Sequence, residues 1–369
     1  MSPSVRRLSA VQREMERAGL RIRNGVRFVT ASDVQAPVTP STVVWQFRGA
    51  SVRKYAASPP AQNDPAAVFV IHGLVGRAEI WDLLPGGSVI EHLTSAGITV
   101  YLLDFGTPTN REASNTLETY CDRLIPSAFA AARKDWTAPH LFAMGYCFGG
   151  VLALLWAAAQ AAREHAPVVA GLVFVATPVD FSQIGSLVES IRPDRVDVHK
   201  LLDETGNVPP EVIRNSMRML RPTDDVVNYV NLMQRLWDDA YVASYQTIAN
   251  WAKDAMPFPG QTFVQCIDLL VRKNLLLSGA IPLGGRVVRL ADITVPSLVM
   301  IAGRDHIVPK SAAQPLLSLL GGTSDLVEVD AGHVALLMGG RAQKQTVPAL
   351  TAWMSQVSSH GDRQTKGPA

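Results

Sequence analysis

Cysteine is scarce in this chain: Cys121, Cys147 and Cys266 are the only three in 369 residues. So few thiols, and an N-terminus without the apolar core of a secretory signal, argue against a disulfide framework and for a reducing, cytoplasmic setting. No C-x-x-C or H-E-x-x-H spacing occurs, so no metal site is expected. No apolar run is long enough for a membrane span; the longest, near Val151–Ala162, fits a buried helix better. A formal charge of only +2 leaves no large basic footprint for nucleic acid. What remains is globular: 47% hydrophobic residues supply an ample core, for one large α/β domain or two smaller ones.

The first 40 residues stand apart. Between Met1 and Phe28 seven arginines face only Glu14 and Glu16. Leu8, Val11 and Met15 fall at helical spacing, which predicts a short basic amphipathic helix. Such a helix either packs on the body with its charges solvated or meets an anionic surface or a partner. Residues 1–40 are therefore set aside as a basic extension. Ser358–Ala369 is polar and expected to fray.

Apolar runs alternate with helical patterns from residue 67 onward. Ala67–Ile71, Ile98–Asp104, His140–Gly145 and Val169–Ala176 read as buried strands; Ser88–Ala96, Tyr120–Arg133 and Val151–Arg163 read as helices. This alternation predicts a mostly parallel, doubly wound sheet with ligands bound at the carboxyl ends of its strands. The strand rhythm stops between Val179 and Gly284, where helical segments are separated by Pro209-Pro210 and by Pro257-Phe-Pro-Gly260. It resumes at Val287 and Ile293. The expected division is a core over 41–178 and 285–357, with 179–284 as a helical cap. Trp237, Tyr241, Tyr245 and Trp251 recur at about one helical turn and read as cap core rather than substrate contacts.

Cys147 carries the chemistry. It sits in Gly145-Tyr-Cys-Phe-Gly-Gly150, between a strand and a strong helix former. A strand, a tight turn with glycines on both sides of one residue, and a helix make the nucleophile elbow of the α/β-hydrolase fold. The glycines let neighbouring backbone approach closely. A Cys at a helix start meets unpaired N–H groups and the positive end of the helix dipole, which favour thiolate. Asp305 follows the apolar run Ser297–Ala302, and His333 follows Asp325–Asp330. Nucleophile, acid and His occur in the chain order of that fold. His333 would take the thiol proton and return it to a leaving group. Asp305 would hold His333 in one tautomer. The backbone N–H groups of Phe148 and Leu74 are the expected oxyanion donors. His306 is a rival base, but it follows Asp305 directly and should point away. His72 precedes Gly73 and reads as shaping the loop.

These motifs resemble the catalytic subunit of poly(3-hydroxyalkanoate) synthases, the shorter class III type most of all. Besides the elbow, the similarity rests on Thr177-Pro-Val-Asp-Phe181, Asn274-Leu-Leu-Leu-Ser-Gly279, the block Arg286–Pro309 with Asp305-His-Ile-Val-Pro309, Asp330-Ala-Gly-His333 and Gly340-Arg-Ala-Gln-Lys344. It runs from about Val68 to Met354. The resemblance implies polymerisation of (R)-3-hydroxyacyl-CoA with release of CoA. Cys147 would carry the chain as a thioester, His333 would activate the thiol, and Asp305 would help activate the 3-hydroxyl. It implies no metal or redox cofactor. As partners it implies hydroxyacyl-CoA, the polyester product, and a second synthase subunit or a second copy of the chain; contact with a polymer granule surface would suit residues 1–40. Two other readings stay open: a Cys-elbow thioesterase or ester hydrolase, and a non-catalytic subunit binding through Met1–Phe28.

Overall fold

In a computed structural model, the structure describes residues 14–25, 39–59, 66–163, 169–185, 196–219 and 232–365. They divide into two compact units. The larger comprises Pro37–Leu220 and Ala255–Ala369. It holds an eight-stranded sheet in the order β1-β2-β4-β3-β5-β6-β9-β10. The strands are β1 (Thr42–Phe47), β2 (Ala50–Tyr55), β3 (Ala66–Ile71), β4 (Thr99–Asp104), β5 (His140–Tyr146), β6 (Leu172–Val175), β9 (Ser297–Ala302) and β10 (Ser324–Val329). A separate hairpin pairs β7 (Ala280–Leu283) with β8 (Arg286–Arg289). From β4 to β10 every neighbouring pair is parallel. The residues of β3, β4, β5, β6 and β9 are almost all buried, as strands covered on both faces must be, whereas the edge strand β10 buries only Val329.

The intervening helices are capped where the sequence places suitable residues. Ser88 accepts the Glu91 N–H at the start of helix Val89–Ser95. Helix Ile125–Asp135 follows a π-turn over Thr119–Leu124. Helix Phe148–Ala161 is apolar on all sides and nearly all buried, which suits a helix lying behind a sheet.

Four features differ from the sequence reading. The sheet begins 25 residues earlier than Ala67, with the antiparallel strands β1 and β2. Only Ala50, Val52 and Tyr55 of β2 are buried, so it has no apolar run to announce it. Val287 lies in the β7–β8 hairpin rather than in the main sheet, because Gly284 and Gly285, both at positive φ, close a tight turn there. Ile293 follows a short 3-10 turn rather than lying in a strand. The C-terminal helix Val347–Thr365 runs past Ser358, which is buried.

The smaller unit comprises Met1–Ala36 and Arg221–Asp254. The basic extension thus groups with part of the expected cap. Residues 14–25 form a helix. Arg17 lies over the Trp237 ring at 4.6 Å, and Arg23 pairs with Asp239. The Asn24 Nδ2 donates to the Leu236 carbonyl and to Asp239, both at 2.7 Å. Helix Asp239–Lys253 is capped by Asp238. Trp237 and Tyr241 each lie beneath an arginine, the latter beneath Arg235 at 4.0 Å. Leu8 and Val11 lie outside the described residues.

Candidate active site

The parallel ladder carries the site residues to one edge. The Cys147 N–H donates to Val175 O at 2.9 Å, so the β5–β6 ladder continues into the turn. Cys147 itself has φ 52° and ψ −120°, a backbone that L-residues rarely adopt. Gly145 and Gly149 make this turn feasible. A Cβ on Gly145 would lie 2.4 Å from Gly149 O, and one on Gly149 would lie 2.3 Å from Ile71 O and 2.9 Å from Gly73 N. These neighbours are backbone atoms and cannot rotate away. Gly149→Ala is therefore expected to push the 72–76 loop off the elbow, lowering stability by about 1–3 kcal/mol and kcat by at least about tenfold. Thermal unfolding and single-turnover rates both at wild-type values would contradict this.

Asp305 and His333 meet because β9 and β10 run in register, Ala302 beside Val329. The pairing continues past the strands: Gly303 N–H donates to Val329 O at 2.8 Å and Arg304 N–H to Ala331 O at 3.0 Å. Both loops then turn inward. Asp305 and His333 are only 7% and 4% exposed. His333 Nδ1 lies 2.6 Å from Asp305 Oδ2. The other carboxylate oxygen, Oδ1, accepts the Ile307 and Val308 N–H groups, each at 2.9 Å. Asp305 is thus held by its own loop and spends its free oxygen on His333.

The Cys147 side chain is the other polar partner of His333. Burial alone would lower the His333 pKa, but the charge interaction with Cys147 and the hydrogen bonds that Asp305 and Cys147 accept outweigh it and raise the value from 6.5 to about 9. His333 thus sits between the Cys147 side chain and the Asp305 carboxylate, and both favour its protonated form. A pKa raised on folding stabilises the protonated form, so this contribution is complete below about pH 6.5 and lost as pH rises through about 9. Urea unfolding should show wild-type stability converging on that of His333→Gln as pH rises through that window. A constant gap between the two would remove this pair from the pH dependence.

Of the three thiols only Cys147 is half-exposed; Cys121 and Cys266 are buried, and burial raises the pKa of each. His306 is exposed, whereas Asp305 beside it is buried, so His306 is turned away from the site. His72 is buried, its Nε2 3.0 Å from Gly76 O and its Nδ1 accepting from Trp81 Nε1 at 3.2 Å. It shapes the 72–76 loop as expected. Gly73 lies against the elbow, where a Cβ would come 3.0 Å from Gly149 N and 3.4 Å from the Phe148 Cβ. Leu74, next in that loop, is buried. The Phe148 ring packs edge-on against Phe258 at 5.6 Å, and Phe258 against Phe263 at 5.9 Å, so aromatic surface flanks the elbow.

The remaining motifs buttress this edge. Asn274 Nδ2 donates to Asp180 Oδ1 at 2.8 Å, and its Oδ1 accepts the Phe181 N–H at 2.9 Å. Asp180 and Val179 in turn donate their N–H groups to Ala312 O. Three segments far apart in the chain are joined at one corner. Asp330 binds both Arg304 and Arg341. Sequence reasoning did not find Trp81 or the contact that Tyr146 makes with His333, whose rings lie 4.8 Å apart. No local pattern marks either residue.

Residues 66–339 match the family model of the alpha/beta hydrolase fold. The chain is also 30% identical over 334 residues to the poly(3-hydroxyalkanoate) polymerase subunit PhaC of Allochromatium vinosum, covering 89% of this chain and 92% of that protein. The chain belongs to the poly(3-hydroxyalkanoate) polymerase family, within the α/β-hydrolases. It is an enzyme of the acyltransferase type. Other polymerases of the family are similar along most of its length. The subunit PhaC of Haloferax mediterranei is 27% identical over 344 residues, covering 92% of this chain and 68% of that protein. That of Thiocystis violacea is 27% identical over 332 residues, covering 89% and 92%. Among the described residues, no helix is long and apolar enough to cross a membrane.

Proposed function

We propose that the chain polymerises (R)-3-hydroxyacyl-CoA into polyester through a covalent thioester on Cys147. His333 accepts the Sγ proton, and the thiolate attacks the thioester carbonyl. The carbonyl oxygen becomes an oxyanion held by the N–H groups of Phe148 and Leu74. The C–S bond to CoA breaks, and CoA leaves with the proton from His333. The 3-hydroxyl of a second hydroxyacyl-CoA then gives its proton to His333 and attacks the acyl-Cys147 thioester; the ester bond forms, the acyl C–S bond to Cys147 breaks, His333 returns the proton to the sulfur, and the lengthened acyl-CoA acylates Cys147 in turn.

The observation that carries this reading is the Cys147–His333–Asp305 arrangement in a chain of this family. Asp305 has both oxygens occupied, which supports a role in proton transfer through His333 rather than direct contact with the hydroxyl. The aromatic flank of Phe148, Phe258 and Phe263 suits an acyl chain and disfavours water at the thioester. The cytoplasmic, granule-associated setting and the second subunit or second copy belong to the same proposal.

The test is product analysis. Purified protein with 3-hydroxybutyryl-CoA should release CoA and yield polyester. CoA release with only free 3-hydroxybutyrate would favour the thioesterase alternative. Release of neither product, with or without a candidate second subunit, would leave a non-catalytic role.

A further inference from the structure

Tyr146, the last residue of β5, immediately precedes the nucleophile and touches the base. Its ring lies 4.8 Å from the His333 ring at a tilt of 38°, and its hydroxyl donates to the His333 carbonyl at 3.3 Å. Trp81 meets Tyr146 edge-on at 6.0 Å and 81°. Trp81 is fully buried, and its Nε1–H donates to His72 Nδ1. Burial lowers the pKa of His72, so its ring is neutral, and a neutral ring that accepts at Nδ1 must donate from Nε2 to Gly76 O. One continuous series of contacts thus runs from the loop bearing Leu74, through His72, Trp81 and Tyr146, to His333.

We propose that Tyr146, backed by Trp81, is a positioning residue that holds the His333 imidazole by ring contact and keeps it in fixed register with the 72–76 loop. The inference rests on His333 being the base. An aromatic face beside an imidazolium stabilises its charge. The other groups facing His333 are the Asp305 carboxylate from the β9 loop and the Cys147 sulfur from the elbow. Tyr146 adds an uncharged contribution to theirs. A triad on its own would leave the ring free to tilt about the Asp305 hydrogen bond; the Tyr146 ring packed against it removes that freedom.

The experiment titrates His333 by NMR in the full chain, without substrate, for the wild type, Tyr146→Phe and Tyr146→Leu. Tyr146→Leu should lower the His333 midpoint by roughly 0.5–1 pH unit. It should lower kcat about tenfold with KM unchanged, and move the alkaline limb of the pH–rate profile with the midpoint. Tyr146→Phe, which keeps the ring face, should restore the midpoint. A Leu variant with reduced thermal stability but an unmoved midpoint and limb would overturn the proposal. So would a Phe variant as shifted as Leu. Should Tyr146→Leu fail to fold, Tyr146→Met carries the same expectations. The midpoint is read without turnover, so it fails separately from the polymerase reading: a chain that merely hydrolysed its substrate would still show the shift.

Discussion

Cys147→Ala is expected to abolish turnover, by at least about 10⁴-fold, while leaving the fold intact. The thiol is the only group at the elbow able to form a covalent acyl intermediate, and Cys121 and Cys266 are buried elsewhere. Cys147 is half-exposed and only partly packed against the core, so truncation to Ala should cost the fold little. The substitution also removes the negative partner of His333, so the His333 titration should move down from about 9. Circular dichroism, CoA release and an NMR titration together check the expectation. A small alkylating reagent should label Cys147 first among the three thiols. Preferential labelling of Cys121 or Cys266, with Cys147→Ala retaining most activity, would remove the elbow from the mechanism.

The second large effect concerns the base and its carboxylate. His333→Gln should lower the rate of acylation by about 10⁴-fold, because nothing else at the site takes the thiol proton. Asp305→Asn should cost about 10³–10⁴-fold, through loss of His333 orientation and of imidazolium stabilisation. Because Asp305 reaches the site only through His333, acylation and chain extension should fall together in Asp305→Asn. Rapid-quench measurement of the first CoA released, beside steady-state chain growth, separates the two steps. A normal first release followed by arrested extension would instead place Asp305 directly on the 3-hydroxyl.

The placement of Cys147, Asp305 and His333 was legible in the sequence because each follows a strand bounded by turn residues, and those signals are local. Gly145 and Gly149 flank Cys147 within five residues, and Asp305 and His333 each follow their strand by no more than four. Parallel pairing then does the rest, since β9 and β10 in register deliver both side chains to one level. The loop-shaping role of His72 was legible from its place before Gly73. Features without a local signal were missed. β2 buries only Ala50, Val52 and Tyr55, so its pattern resembles that of many exposed segments. The grouping of residues 1–36 with 221–254 depends on contacts such as Arg17 with Trp237, more than 200 residues apart. The Trp81–Tyr146 contact joins two elements that only the sheet brings together. Asn274 and Asp180 appeared as separate family motifs, and only the fold shows that they are one hydrogen-bonded corner.

The central claim is that Cys147 carries the growing chain. Mass analysis of the Cys147 peptide, after brief incubation of the wild-type protein with 3-hydroxybutyryl-CoA and acid quench, tests it most directly. The account predicts a ladder of adducts on Cys147 spaced by one hydroxyacyl unit, sensitive to hydroxylamine as thioesters are. CoA release and polymer growth with Cys147 unmodified throughout, or with the adducts on another residue, would contradict it.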